Sequence, residues 1–247
     1  AATPNQRAAA AGLQSAPSGN AARLAALNLP DDSRARAAFD QLSGELHAAL
    51  RDSLLTDADA PREAALARLR TRLSTGATVW GQGYGTLGHR DGDGNGAAID
   101  NRTAGFLFGA DLPVASGGRV GVFGGAGDDD IGARGEATST DVTVGSYGGT
   151  HLGALAIRGG VAATAHMIAT SRHVEFSGYA ADLRSLYGGA TAQAFAEIAV
   201  PLSFGPVTLS PFAGLSESWL HTDAFDEGSG GLHGDAANRT LGTAELG

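Results

Sequence analysis

Several stretches combine residues that could do chemistry. Asp91, Asp93 and Asn95, spaced by glycines and followed by Gly96, copy the first half of a calcium loop, in which alternate oxygens converge on one cation. The twelfth position, where a bidentate glutamate would close the site, is Arg102, and no helix precedes the stretch, so it reads as a hydrophilic loop. Gly83-Tyr84-Gly85-Thr86-Leu87-Gly88 spells G-x-G-x-x-G, but within a strand pattern and without the helix whose amides would hold a pyrophosphate. Gly214-Leu215-Ser216-Glu217-Ser218 lacks the closing glycine of a nucleophile elbow. His47, His89, His151, His166, His173, His221 and His233 show no paired ligand spacing, and the chain has no cysteine. Asp128-Asp129-Asp130 reads as a solvated acidic loop. No catalytic, metal or cofactor constellation is expected.

The elements that would position a site fall into two unlike parts. Residues 1–75 are rich in Ala, Leu and Arg. Asp31, Asp32 or Ser33 can cap a helix carrying Phe39, Leu42, Leu46 and Leu50. A second helix can open with Pro61 in its first turn behind Asp59, with Leu66, Leu69 and Leu73 on one side and Arg62, Arg68, Arg70 and Arg72 around the rest. Taken alone, this is an ordinary amphipathic pair with a solvated basic face.

Over residues 78–247 the period switches to two. Ala192, Ala194, Ala196, Ile198, Val200 and Leu202 alternate with Thr191, Gln193, Phe195, Glu197 and Ala199. Ala104, Phe106, Phe108, Ala110 and Leu112 alternate with Thr103, Gly105, Leu107, Gly109 and Asp111, and Leu155, Ile157 and Val161 oppose Arg158, Thr164 and His166. These are strands with one apolar face and one polar or glycine face. A soluble sandwich alternates in the same way, but here the polar face is full of Gly, Ser and Thr, which suits a crowded lumen better than open water. Links at Ala115–Gly118, His151–Gly153 and Phe204–Pro206 read as short. Those at Arg90–Asn101, Asp128–Thr140, Ser171–Leu183 and Asp226–Asn238 read as long, the asymmetry of outer-membrane barrels.

Composition narrows the classes. Glycine appears 38 times in 247 residues, roughly twice its usual share of about 7%. A net charge of −9 makes a nucleic-acid surface improbable. No apolar run approaches the ~18 residues of a membrane helix, a test that barrel strands never meet. There is no signal-peptide pattern. The chain opens on Ala1-Ala2-Thr3-Pro4 and closes on the strand-like Glu245-Leu246-Gly247, so both ends are expected to be internal to a longer protein.

Val79-Trp80-Gly81-Gln82-Gly83-Tyr84-Gly85, then Arg90-Asp91-Gly92-Asp93-Gly94-Asn95, resembles the first strand and loop of an autotransporter β-domain. Gly105 to Asp111, Tyr147 to Thr150, Gly153 to Gly160, Gln193 to Glu197 and Pro211-Phe212-Ala213 follow in the expected order. Upstream, Thr3 to Arg7 and Leu42 to Ala48 resemble the junction between passenger and barrel in that family. The resemblance implies a mainly β fold: an antiparallel transmembrane β-barrel, twelve-stranded in the family, with an N-terminal helical segment in the pore. It implies a type V secretion translocator in a Gram-negative outer membrane that exports an N-terminal passenger. The implied partners are outer-membrane lipid, the passenger, the barrel assembly machinery and periplasmic chaperones. Residues 78–247 hold about eight strands at ~21 residues per strand and link, so about 80 residues of a twelve-stranded barrel are expected to lie beyond Gly247.

Under this reading residues 44–73 form a pore helix whose Arg62, Arg68, Arg70 and Arg72 need partners, because an unpaired desolvated arginine is costly. Asp111, Arg158, Gln193 and Glu197 are the expected lumen-facing partners. Gly81, Gly83, Gly85, Gly105 and Gly109 are expected to let the helix approach the wall. Trp80, Tyr84 and Trp219 are expected in interfacial belts. The alternatives are an outer-membrane barrel enzyme of esterase or protease type and a soluble glycine-rich β-sandwich.

Overall fold

The structure, a computed structural model, describes residues 2–71, 76–114, 117–204, 207–228 and 230–247, with the backbone alone for Ser203 and Thr208. Among the described residues, five helices precede the strands: α1 (Pro4–Ser15), α2 (Ala21–Leu27), α3 (Asp32–Gln41), α4 (Glu45–Asp57) and α5 (Asp59–Arg70). The N-terminus of α1 is built by a capping box, in which Gln6 N donates to Thr3 Oγ1 at 3.2 Å and Thr3 N to Gln6 Oε1 at 3.0 Å. Asp31 caps α3 by accepting from Arg34 N at 2.8 Å.

The helices differ from the sequence pattern at two points. The helix expected to run from Phe39 through Leu50 breaks, because Leu42 caps α3 and Gly44 precedes α4. The next helix begins on Asp59 rather than being capped by it. Pro61 has no N–H for the Asp57 carbonyl, and its ring crowds that carbonyl, so the helix breaks at Ala58.

The strands are β1 (Thr78–Arg90), β2 (Ile99–Val114), β3 (Gly118–Ala133), β4 (Gly135–Leu152), β5 (Leu155–Phe176), β6 (Tyr179–Ala199), β7 (Leu202–Phe204), β8 (Val207–Leu209), β9 (Phe212–Thr222), β10 (Phe225–Asp226), β11 (His233–Gly234) and β12 (Ala237–Leu246). One antiparallel eight-stranded sheet runs β1-β2-β3-β4-β5-β6-β9-β12, while β7–β8 and β10–β11 are small hairpins. Among the described residues, β1 and β12 each pair with one neighbour.

Two of the expected long links are strand. Residues 128–140 and 171–183 continue the ladders of β3–β4 and β5–β6. The second pair closes on the turn Ser177-Gly178, where Gly178 takes φ 85° as few other residues could. These stretches resemble loops because the alternation inverts. Lower in the sheet, apolar side chains such as Phe108, Val122 and Leu215 point outward, and Thr103, Asp111 and Glu197 are buried on the inner face. Above that zone Asp130, Glu136, His173 and Asp182 are exposed outside, while Ile131, Ala137, Val174 and Leu183 are buried inside.

Candidate functional site

On β2 the exposed outward residues run from Ala104 to Val114. At ~3.3 Å per residue and ~40° of tilt, that rise is about 25 Å, the height of the apolar band of outer-membrane barrels. Val79 is 85% exposed and Leu215 68%, although both are large and aliphatic, so this face is built for an apolar solvent. The band ends where Arg102, Asp128 and Asp130 turn outward. Among the described residues no helix is long and apolar enough to cross a membrane.

The inner face wraps the α4–α5 pair. Arg62, 4% exposed, donates to Ser216 Oγ of β9 at 2.7 Å and to Glu245 Oε1 of β12 at 2.6 Å. Arg68 Nε donates to Asp111 Oδ2 of β2 at 2.6 Å, and Arg68 also bonds Thr78 of β1. Arg70 Nε donates to Glu197 Oε2 of β6 at 3.1 Å. The arginines of one short helix therefore touch both edge strands of the sheet and three of its interior strands.

Asp111 is a four-way node. Besides Arg68 it accepts from Thr78 Oγ1 at 2.6 Å, from Tyr147 OH at 2.8 Å and from the Arg119 guanidinium. Trp80 Nε1 donates to Tyr147 OH at 2.7 Å, so the indole, the phenol and the carboxylate form one chain. Glu197 is held a second time by Arg158 Nη1 at 2.5 Å.

The expected residues thus sort unevenly. Arg62, Arg68 and Arg70 meet acidic partners, including the expected Asp111 and Glu197. Arg158 shares Glu197 instead of serving the helix. Gln193 is buried but donates to Ser218 Oγ at 2.9 Å, so it does not meet an arginine of α5. Arg72 lies outside the described residues. Trp219 is 42% exposed and faces outward.

Trp80 and Tyr84 correct the interfacial expectation, since both pack inward with Leu66, Phe123 and Tyr147. Their β1 neighbours Gly81, Gly83 and Gly85 accordingly face away from the helix. Gly105 and Gly109 do face inward, but a Cβ at Gly105 would lie 2.3 Å from the Tyr84 ring and one at Gly109 2.7 Å from the Trp80 ring. Gly105 and Gly109 are thus seats for rings on the neighbouring strand rather than clearance for the helix. Arg119 and Tyr147 were legible only as inward parity on β3 and β4.

A second buried cluster lies where the inner face turns apolar. His47 on α4 stacks on Phe225 with centroids 3.7 Å apart and places its ring nitrogens 3.0 Å from Tyr187 OH and Glu227 Oε1. Arg172 Nη2 donates to Glu227 Oε2 at 2.6 Å. Burial pushes the Glu227 carboxyl up, but hydrogen bonds from His47 and Arg172 outweigh it and leave the group at about 2. The loop copying a calcium motif is closed on itself, Asp93 Oδ1 accepting from Asn95 N at 2.9 Å and Gly96 N at 2.8 Å, while Asn95 Oδ1 accepts from Asn5 N.

Comparison with known proteins gives a consistent likeness. The family profile described as "Autotransporter beta-domain" matches residues 79–247. Two extracellular serine proteases of Serratia marcescens are each 30% identical over 220 residues, covering 84% of this chain and 21% of theirs. The chain spans about a fifth of the length of these curated relatives. In structure it is similar to the translocator domain of autotransporter NalP from Neisseria meningitidis, with TM-score 0.65 and 15% identity over 81% of this chain and 68% of that one.

Proposed function

The chain belongs to the autotransporter β-domain family, outer-membrane translocators of type V secretion, and from that premise we propose that α4–α5 is the pore helix of its barrel. In this reading the segment expected over residues 44–73, of which residues 44–71 are described, is the trailing end of an exported passenger held in the lumen after transit, and residues 2–43 lie at one mouth. The observation that carries it is the set of ion pairs from Arg62, Arg68 and Arg70 to Glu245, Asp111 and Glu197, each with one partner buried, on the inner side of a sheet whose outer face is apolar. Removing water from an arginine is unfavourable unless a carboxylate replaces the water, and here each guanidinium has one.

The domain acts as a conduit without chemistry of its own. It is inserted by the barrel assembly machinery with periplasmic chaperones escorting it. Charge reversal at Arg68 and Arg70 in the full-length protein tests the plug. Both nodes then turn repulsive, and conductance in planar bilayers should rise. Unchanged conductance would place the helix outside the conducting path.

A further inference from the structure

Among the described residues, buried carboxylates are matched with arginines except in one cluster of three. Asp111 has Arg68 and Arg119, Glu197 has Arg70 and Arg158, and Glu227 has Arg172. Asp57, at the end of α4, and Asp129 and Asp141, on β3 and β4, have no arginine ion pair among the described residues. They surround the α4–α5 break beside a cavity of about 20 Å³, the size of one water. Asp57 accepts from Thr103 Oγ1 at 2.9 Å and from Ser53 Oγ at 3.2 Å. Asp141 accepts from Ser139 and from His166 Nδ1 at 2.8 Å, and His166 Nε2 is occupied by Thr191 Oγ1 at 2.7 Å.

Asp129 is 2% exposed, lines the cavity, and its Oδ1 has no hydrogen-bond partner. The carboxyl-bearing residues Asp57 and Asp141 line the same one-water cavity, so the three acidic side chains face one another across it. Two carboxyl oxygens can hydrogen-bond only when one of them carries a proton. We propose that Asp57 and Asp129, with Asp141 beside them, form a proton-binding site that fastens the helix break to the barrel wall through a shared proton.

Other titratable groups facing the site do not supply that charge. β1 contributes Tyr84, a phenol. Asp128 of β3 turns its carboxylate to the exposed face, where it accepts from Thr140. β5 contributes His166, already committed to Asp141. β2 and β6 contribute the hydroxyls of Thr103 and Thr191, and α5 contributes Pro61. Losing the shared proton leaves two like charges across one small cavity, with the hydroxyls of Ser53 and Thr103 on Asp57, and they repel. The backbone at Ala58, already outside regular helix, is where α4–α5 can yield. Alkaline pH should therefore release the break.

The consequence for conductance rests on the pore-helix reading; the proton itself does not. Infrared difference spectra of the full-length protein in detergent should show a protonated-carboxyl carbonyl band at about pH 7 that is lost near pH 10 and is absent in Asp129→Asn. An absent band, or one that survives in both Asp129→Asn and Asp57→Asn, overturns the proposal. In planar bilayers the wild type should gain about tenfold in open probability over that pH range. Asp129→Asn, whose amide keeps the hydrogen bond without the charge, should stay closed, and Tyr84→Phe should open like the wild type. If Asp129→Asn does not fold, Asp57→Asn takes its place. Opening by a chelator at constant pH would mean a bound metal and overturn the proposal. If Arg68 and Arg70 reversal opens the pore but alkaline pH does not, this proposal alone fails. If neither opens it, the pore-helix reading fails, and the infrared band decides the proton.

Discussion

Replacing Asp111 by asparagine is the sharpest perturbation of the wall–helix interface. The side chain keeps its shape and loses its charge, so Arg68 and Arg119, with side chains 19% and 8% exposed, stay buried facing a neutral amide. Breaking a buried pair from one side costs about 3–5 kcal/mol, and here two guanidiniums lose their counter-ion while Thr78 and Tyr147 lose a charged acceptor. We expect Asp111→Asn at the upper end of that range. Arg68→Met leaves Asp111 with Arg119, Thr78 and Tyr147, and should cost about 1.5–3 kcal/mol, the worth of a hydrogen bond to a charged group. The two changes should not add: once the carboxylate is gone, removing Arg68 relieves a stranded charge, giving a coupling above about 1 kcal/mol. Urea unfolding of the refolded full-length barrel, with all four members of the cycle, measures this. Asp111→Asn within about 0.5 kcal/mol of wild type, or simple additivity, would refute the node.

Three further outcomes follow from other parts of the molecule. Glu227 sits at about 2 when folded against an ordinary 4.5, so its contribution is complete above about pH 4.5 and is lost as pH falls towards 2; Glu227→Gln should flatten the acid limb of a pH–stability curve. Gly105→Ala drives a Cβ into the Tyr84 ring and should cost about 1–3 kcal/mol by thermal melting, whereas Gly242→Ala, with nothing within 4 Å, should be near neutral. Brominated lipid should quench Trp219, which faces outward, and spare Trp80, whose Nε1 is bonded to Tyr147; equal quenching would contradict the inward placement.

Much of this architecture was legible because lipid and lumen impose opposite chemistry on alternate residues. The faces of β2, β5 and β6 follow from period two, and Arg68 and Arg70 meet the inward carboxylates of Asp111 and Glu197, partners that inner-face parity picks out. Where the alternation inverts, as in residues 171–183, the same pattern looks like a hydrophilic loop, since an apolar-outward rule cannot see a strand that has left the band. Parity also failed for Trp80 and Tyr84. A tryptophan near a strand end suits a lipid interface or a ring seat equally well, and the choice was made by Gly105 and Gly109 on the neighbouring strand, a cross-strand fact invisible to local spacing. The helix break at Ala58 was written in Pro61, but its proximity to Asp129 is a tertiary contact.

The central claim is that α5 lies inside the barrel of the assembled protein. A Cβ at Gly149 on β4 would lie 3.4 Å from Leu69 Cδ2 on α5, and the chain has no native cysteine to interfere. Leu69→Cys with Gly149→Cys, treated in intact outer membranes with a short thiol-specific crosslinker, should give a loop-closed species of altered gel mobility, with neither single variant doing so. Failure of the pair to crosslink in a correctly inserted barrel would contradict the account.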